Sequence, residues 1–316
     1  MGQAVASAGR RLGVLLLLVS PACAWDWDRF EFPGTVCRWD DPAAFTLATP
    51  RPLAGVNSSG RDYEPFLSPD RLTLYFVSDR GDGRRRIYRA ARARPYGAFE
   101  AVEPENGVSV PDAVYRLALS SDGLTAYIAA PSGYPASGAG QTDLFSATRP
   151  AAGAPLGSAD FSPVSEVNTS NHEWDPFPSP DGLRLYYGEH VPPDLHHPRY
   201  AERAAPGQPW QRMGPVPGLP ASPPFKTDNP AVTVDERLIL FASDLTGSVA
   251  GSRDLWYAVR PGRDAPFGPP RQVPEVNTEH LESEVYISPD GCELFFIRSE
   301  GAARKDDIYT TRHVAR

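Results

Sequence analysis

The sequence predicts an all-β chain that folds as a five-bladed β-propeller with four-stranded antiparallel blades. A turn motif recurs five times, at spacings of 52, 59, 54 and 55 residues, and an apolar run rich in aromatic side chains follows each copy. The 316 residues include 35 Pro and 27 Gly, a density that interrupts long helices and favours frequent turns. Repetition at this period is typical of propellers and other repeat architectures.

The recurring turn is clearest in the third and fifth copies, which read Ser179-Pro180-Asp181-Gly182 and Ser288-Pro289-Asp290-Gly291. The Asp side chain bonds its own backbone two residues further on, Gly supplies a positive φ, and Pro fixes φ ahead of the turn. The equivalent aspartates are Asp70, Asp122, Asp181, Asp235 and Asp290. Each copy is therefore predicted to be a hairpin that joins an inner strand to a long apolar strand.

The apolar runs occupy residues 74–76, 126–128, 185–187, 239–241 and 294–296. They are apolar on both faces, as expected of strands that lie between two neighbouring sheets. A third strand and then a fourth, which begins near an aromatic residue, follow in most copies. The third copy departs from the pattern at Pro198-Arg199-Tyr200, so we expect residues 189–198 to form its least regular loop.

The last repeat has three strands before the chain stops, whereas the segment 45–53 looks like a fourth strand without a blade of its own. We expect this N-terminal strand to complete the last blade and close the ring, because exposed strand edges promote aggregation. Closure would bring Cys37 to Cys292, at the start of the second strand of that blade. The sequence thus predicts a disulfide between Cys37 and Cys292, and the alternative is two unrelated buried thiols.

The first 24 residues have the pattern of an export signal. A basic pair, Arg10-Arg11, precedes the short apolar stretch 13–19, and Ala22-Cys23-Ala24 fits a small-x-small cleavage site. An alternative interpretation makes Cys23 a lipidated N-terminal cysteine that tethers the protein to a membrane. We therefore expect a signal peptide at 1–24, an N-terminal segment at 25–44 and a single propeller domain at 45–316. The expected location is the periplasm or the cell surface.

The negative net charge of the chain argues against nucleic acid and anionic membranes as partners. The formal net charge is −8, and removal of residues 1–24 would take away two arginines and no acid. An acidic protein is a poor partner for nucleic acid or an anionic membrane surface. No stretch beyond the signal is long and apolar enough for a transmembrane helix.

The Ser-Pro-Asp-Gly hairpin and the Leu-x-Leu-Tyr-Phe type of strand after it resemble the WD40-like β-propeller repeat of bacterial exported proteins, as in TolB-like propellers. The resemblance covers residues 45–313, although TolB-like members usually have six blades and five copies are present here. It implies the propeller fold. Members of this family are mostly binding scaffolds, which implies a protein-binding or ligand-binding role.

Six residues before each turn Asp stands a polar residue that the repeat would place at the mouth of the central channel. These residues are Glu64, Arg116, Asp175, Asn229 and Glu284. Carboxylates from separate blades can serve as acid and base in glycoside hydrolysis. However, acids that recur as part of the repeat favour a structural role, in which they lock neighbouring blades. The ring is therefore a candidate binding site, and the sequence assigns no catalytic residue.

The histidines are the remaining candidates for chemistry. His190, His196 and His197 fall in the expected irregular loop, and no Cys or carboxylate was found at a known metal-site spacing from them. The sequence therefore predicts no metal and no cofactor. The leading hypothesis is a non-catalytic extracytoplasmic scaffold that binds an unknown protein partner or ligand. The alternative is a glycan-binding or glycoside-hydrolysing propeller that uses the channel-mouth carboxylates.

Overall fold

Each sequence repeat forms one antiparallel sheet in the computed structural model of the protein. The structure describes residues 37, 39, 46–108, 114–134, 140–157, 160–220, 224–248, 253–273, 275–300 and 305–314. The predicted signal segment 1–24 with Cys23, and nearly all of the segment 25–44, lie outside these residues. Among the described residues, no helix has the length and apolar character that crossing a membrane requires.

The first three sheets run from the inner to the outer strand in chain order, after a short strand β1 (Arg51–Pro52). The first sheet contains β2 (Asp62–Leu67), β3 (Thr73–Ser78), β4 (Arg86–Ala91) and β5 (Glu100–Pro104). The second contains β6 (Tyr115–Leu119), β7 (Thr125–Pro131), β8 (Thr142–Thr148) and β9 (Ser162–Pro163). The third contains β10 (His172–Pro178), β11 (Arg184–Val191), β12 (Leu195–Glu202) and β13 (Gln211–Pro215).

The last two sheets complete the fold. The fourth contains β14 (Thr227–Val232), β15 (Leu238–Ser243), β16 (Asp254–Val259) and β17 (Arg271–Gln272). The fifth contains β18 (Leu281–Ile287), β19 (Glu293–Glu300), β20 (Lys305–Arg312) and β1. The first strands contact one another in the cycle β2, β6, β10, β14, β18 and back to β2, so the five sheets are the blades of one propeller.

The fourth strand of the last sheet comes from the N-terminal part of the chain. Strand β1 pairs antiparallel with β20, with Arg51 opposite Thr310 and Pro52 opposite Tyr309. The strand is shorter than the predicted segment 45–53, although Leu47 forms an isolated bridge with His313. Both ends of the propeller therefore meet in one sheet.

The disulfide between Cys37 and Cys292 is present, with an S–S distance of 2.05 Å and 255 residues between the two cysteines. The backbone N–H of Cys37 also donates to the carbonyl of Asp290 at 3.1 Å. Nearby, Trp39 Nε1 donates to the carbonyl of Gly291 at 2.9 Å. These contacts hold Cys37 and Trp39 against the turn of the last blade.

The predicted turn chemistry is well defined in the third blade. The Ser179 hydroxyl donates to Asp181 Oδ1 at 2.6 Å, and the N–H of Leu183 donates to the same oxygen at 2.9 Å. The N–H of Arg184 donates to Ser179 Oγ at 2.8 Å, and Gly182 has a φ of +67°. The motif therefore satisfies its own polar groups and starts the second strand in a defined register.

The second strands form the centre of the core, as their apolar character on both faces predicts. Phe76, Tyr187, Phe241 and Phe296 are at most 1% exposed. Burying one such side chain stabilises the fold by about 1.5–3 kcal/mol. The fifth sheet also uses a side chain from the loop after β1. The Asn57 side chain accepts from the N–H of Ile308 at 3.0 Å and donates to its carbonyl at 2.9 Å, which extends the ladder beyond β1.

Candidate functional site

Five polar residues form a ring around the channel, each at the same place in the first strand of its blade. In every first strand the pairing with the second strand is interrupted at this residue by a β-bulge. The residue itself has a positive φ, which residues other than Gly rarely adopt. The ring members are Glu64 (φ 54°), Arg116 (φ 28°), Asp175 (φ 54°), Asn229 (φ 55°) and Glu284 (φ 51°).

The structure brings all five predicted residues together in a chain of hydrogen bonds. Arg116 Nε donates to Glu64 Oε2 at 2.9 Å, and the backbone N–H of Glu64 donates to Glu284 Oε2 at 2.7 Å. The N–H of Glu284 donates to Asn229 Oδ1 at 3.2 Å, and Asn229 Nδ2 donates to Asp175 Oδ2 at 2.7 Å. Each bond joins one blade to the next, so the ring residues link the inner strands of all five blades.

Arg116 is the cation of the ring and is fully buried. Burial alone would lower the pKa of its guanidinium, but attraction to Glu64, Asp175 and Glu284 raises that pKa above its usual value. Arg116 therefore stays charged and offsets part of the negative charge that the blades bring to the channel. Within the described part of the chain, its two terminal nitrogens have no hydrogen-bond partner.

Two of the ring carboxyls have raised pKa values, so their surroundings favour the protonated form. Burial, and next the negative charge of Glu64, raise the pKa of Asp175 well above its usual value. Burial and the same neighbour also raise the pKa of Glu284 well above its usual value. Desolvation and like charge both disfavour ionisation, and here they act together.

A pocket of about 240 Å³ opens at the mouth of the channel. Four ring residues line it; Arg116 does not. Aromatic and cationic side chains make up much of the remaining wall. The other lining residues are Arg61, Tyr63, Arg85, Tyr115, Trp174, His196, Asp228, Arg253, Ser283 and Asp306.

One arginine from the first blade spans two aromatic rings of this wall. The guanidinium of Arg85 lies 5.4 Å from the ring centroid of Tyr63 and 5.0 Å from that of Tyr115. A cation over an aromatic face is stabilised by the quadrupole of the ring. Arg85 stands in the loop before β4, and nothing in the neighbouring sequence indicates that it lines the channel mouth.

The expectation of an irregular loop at 189–198 is wrong. Strands β11 and β12 pair continuously from Arg184 opposite Glu202 to Val191 opposite Leu195, so only residues 192–194 form the turn. His190 lies in β11, and His196 and His197 lie in β12. The prolines suggested a loop, but Pro198 lies within β12 and pairs there with Gly188 of β11.

A cluster that sequence reasoning missed lies at the tip of this hairpin. His190, Asp194 and His196 each offer a ligand atom within 4.8 Å of the other two. The sequence signal is His-x3-Asp-x-His, which becomes meaningful only when the hairpin register is known. Burial lowers the pKa of His190, and the neighbouring imidazoles of His196 and His172 lower it further.

No protein-family model matches the chain, and no curated protein sequence matches it. Solved structures do. A thermostable family-43 glycoside hydrolase is similar with a TM-score of 0.53 and 13% sequence identity, over 84% of this chain and 92% of that chain. An α-L-arabinofuranosidase from Lactobacillus brevis has a TM-score of 0.52 and 14% identity, over 80% of this chain and 90% of that chain.

Structures similar to this chain also include TolB from Acinetobacter baumannii, with a TM-score of 0.46 and 12% identity, over 82% of this chain and 56% of that chain. At these identities the likeness concerns the fold. The chain is a five-bladed β-propeller with four-stranded antiparallel sheets, and the solved structures whose fold is similar to it include glycoside hydrolases.

Proposed function

We propose that this chain is an exported, non-catalytic β-propeller that binds a ligand or a protein partner at the channel mouth. The proposal rests on the series of hydrogen bonds that runs around the ring from Arg116 to Asp175. Ring side chains that already bond neighbouring blades hold the propeller together. A catalytic acid and base would instead need to reach the substrate and exchange protons with it.

The wall of the mouth suits a polar ligand with a flat apolar face. Tyr63, Tyr115 and Trp174 supply aromatic surface, while Arg61 and Arg253 supply charged donors. Concave sites with a few oriented polar groups on an aromatic wall are typical of ligand pockets, and sugars stack on such rings. A glycan is therefore the ligand class that we would test first.

Export is part of the same proposal. The disulfide between Cys37 and Cys292 supports an oxidising compartment, and the pattern of residues 1–24 supports a signal peptide. The periplasm and the cell surface both fit. Mass spectrometry of the protein isolated from its host should give a mature chain that begins at Trp25; a diacylglyceryl group on Cys23 would instead establish a lipoprotein.

The test separates binding from turnover. The purified protein is applied to a glycan array and, in parallel, to polysaccharides whose new reducing ends are measured. We expect binding without release of reducing ends. Trp174→Ala should weaken binding at least about tenfold, whereas Met213→Ala, at an exposed site on the outer strand β13, should not change it.

A glycoside hydrolase is the second candidate, because the raised pKa values of Asp175 and Glu284 are what a general acid requires. The likeness to a family-43 glycoside hydrolase and an α-L-arabinofuranosidase is compatible with it. Release of reducing ends that disappears in Glu284→Gln would establish this function and refute the non-catalytic one. Absence of both binding and turnover across glycans, together with capture of an envelope protein, would move the proposal to a protein partner.

A further inference from the structure

We infer that His190, Asp194 and His196 form a binding site for a divalent transition metal such as Zn²⁺ at the tip of the β11–β12 hairpin. His190 and His196 are opposite each other in the pairing of the two strands, and Asp194 stands in the turn between them. Their ligand atoms all lie within 4.8 Å of one another. Two imidazole nitrogens and a carboxylate oxygen are a donor set that zinc favours, whereas calcium and magnesium prefer oxygen alone.

The ring of His196 is oriented for this role. Its Nδ1 lies 3.0 Å from both carboxylate oxygens of Asp228, so Nδ1 carries a proton and donates it to the carboxylate. The side chain of Arg253 lies 2.6 Å from Asp228 Oδ2, so the carboxylate is held between this guanidinium and the imidazole of His196. The lone pair of His196 is therefore on Nε2. A histidine held by a carboxylate on one nitrogen is the usual arrangement of a metal ligand on the other.

His190 shows the complementary feature. Its Nε2 is buried and has no hydrogen-bond partner among the residues that the structure describes. When Nδ1 carries the proton of the neutral imidazole, Nε2 has a lone pair that no described residue uses. A buried polar atom in that state is destabilising unless another group, here a metal ion, satisfies it.

The third ligand is placed at a separation that suits a metal. Asp194 Oδ1 lies 3.7 Å from His196 Nε2, which is too long for a hydrogen bond. Two ligands at about 2.1 Å from a tetrahedral zinc ion are about 3.4 Å apart. Lys226 Nζ pairs with the other oxygen, Oδ2, at 2.7 Å, so the carboxylate can keep this partner while Oδ1 ligates.

The neighbouring histidines do not belong to the set. The N–H of Thr142 donates to His172 Nδ1 at 3.1 Å, so neutral His172 carries its proton on Nε2 and has no lone pair left to offer. His197 follows His196 in β12, and successive side chains of a strand point to opposite faces. His197 is therefore a matched control on the same strand.

The site lies beside the channel mouth, because His196 and Asp228 also line the pocket there. Three protein ligands leave at least one coordination position for water or for a donor atom of a ligand. The inference does not depend on the proposed binding function, since metal binding is measured directly.

The experiment uses the full mature protein without a histidine tag, stripped of metal with EDTA and dialysed. Isothermal titration with Zn²⁺ should give one ion per chain, and Co²⁺ should give visible absorption bands from the same site. His190→Gln and His196→Gln should each weaken Zn²⁺ binding at least about tenfold, and Asp228→Asn about 10–100-fold. His197→Gln should bind as the wild type does.

Thermal unfolding followed by circular dichroism establishes that each variant is folded, and added Zn²⁺ should raise the melting temperature of the wild type but not of His190→Gln. The inference is overturned if the wild type binds no Zn²⁺ tighter than about 1 mM. It is equally overturned if His190→Gln and His196→Gln bind as the wild type does, or if millimolar Ca²⁺ displaces the Zn²⁺.

Discussion

Glu284 Oε2 accepts a hydrogen bond from the backbone N–H of Glu64 at 2.7 Å, and this bond joins the inner strand of the last blade to that of the first. The same relation holds one blade earlier, where Asn229 Oδ1 accepts from the N–H of Glu284. The N–H at the bulge is not used by the ladder of its own blade, so the preceding blade satisfies it. A change in one ring residue should therefore alter the stability of the whole propeller.

The first prediction concerns pH. Because the pKa values of Asp175 and Glu284 are raised, the folded protein binds more protons than the unfolded chain between the ordinary carboxyl pKa and the raised one. The free energy of unfolding contributed by these groups therefore falls as pH rises through that interval. Glu284→Gln keeps the acceptor for the Glu64 N–H and cannot ionise, so the fall should be smaller in this variant.

Urea unfolding at a series of pH values from about 4 to about 9 measures this difference. Glu166→Gln is the control, because Glu166 lies exposed in a turn. A pH profile of Glu284→Gln that runs parallel to that of the wild type would contradict the prediction.

The second prediction concerns Arg116. Arg116→Met removes the buried cation and leaves Glu64 without its partner, while Asp175 and Glu284 lose an attractive charge. Breaking a buried ion pair on one side costs about 3–5 kcal/mol of unfolding free energy at neutral pH. The double variant with Glu64→Gln should recover part of this loss. Equal stability of Arg116→Met and the wild type in urea unfolding would refute the role given to Arg116.

The third prediction compares two ion pairs of the first blade. Arg92 forms a two-point pair with Glu293 of the last blade, at 2.9 and 2.8 Å, and its side chain is fully buried. Arg92→Leu should lower the unfolding free energy by about 3–5 kcal/mol, because the Glu293 charge would remain buried. Arg89→Ala breaks an exposed pair with Glu103 and should cost less than about 1 kcal/mol.

Thermal unfolding of the two variants tests this contrast under identical conditions. A similar loss in both would show that the contact between the first and last blades does not depend on Arg92.

The fourth prediction concerns the disulfide. The crosslink closes a loop of 255 residues and thereby restricts the unfolded chain. Its removal in the Cys37→Ser, Cys292→Ser double variant should lower the unfolding free energy by about 2–5 kcal/mol. Dithiothreitol should lower the melting temperature of the wild type to that of the double variant and leave the double variant unchanged. A wild type insensitive to reduction would contradict the prediction.

The blades were predictable because their causes are local. The Asp-centred turns and the apolar second strands are set by neighbours within a few residues, and even the altered fourth turn obeys the rule. There Thr233 takes the place of Ser, and Glu236 adopts a positive φ of 52°, as Gly does in the second, third and fifth turns and Arg71 does in the first. The pairing of Cys37 with Cys292 followed from counting strands per blade.

The details of the site were not predictable in the same way. Positive φ at Glu64 and Arg116 arises from bulges that only the packed ring imposes, since neither residue type favours this conformation. The bond between Asn229 and Asp175 joins residues 54 positions apart, and nothing local indicates it. His190, Asp194 and His196 come together only because β11 and β12 pair, and the prolines of this segment argued against such a pairing.

The pairing of β1 with β20 has a consequence for synthesis. One sheet contains residues from both extremes of the propeller, so four blades can be made while β1 still has no strand to pair with. Contacts between such distant residues form slowly and only after the intervening chain has emerged. A nascent chain would thus expose an unpaired edge until its final strand is released, and premature termination before residue 305 would leave β1 with nothing to pair with.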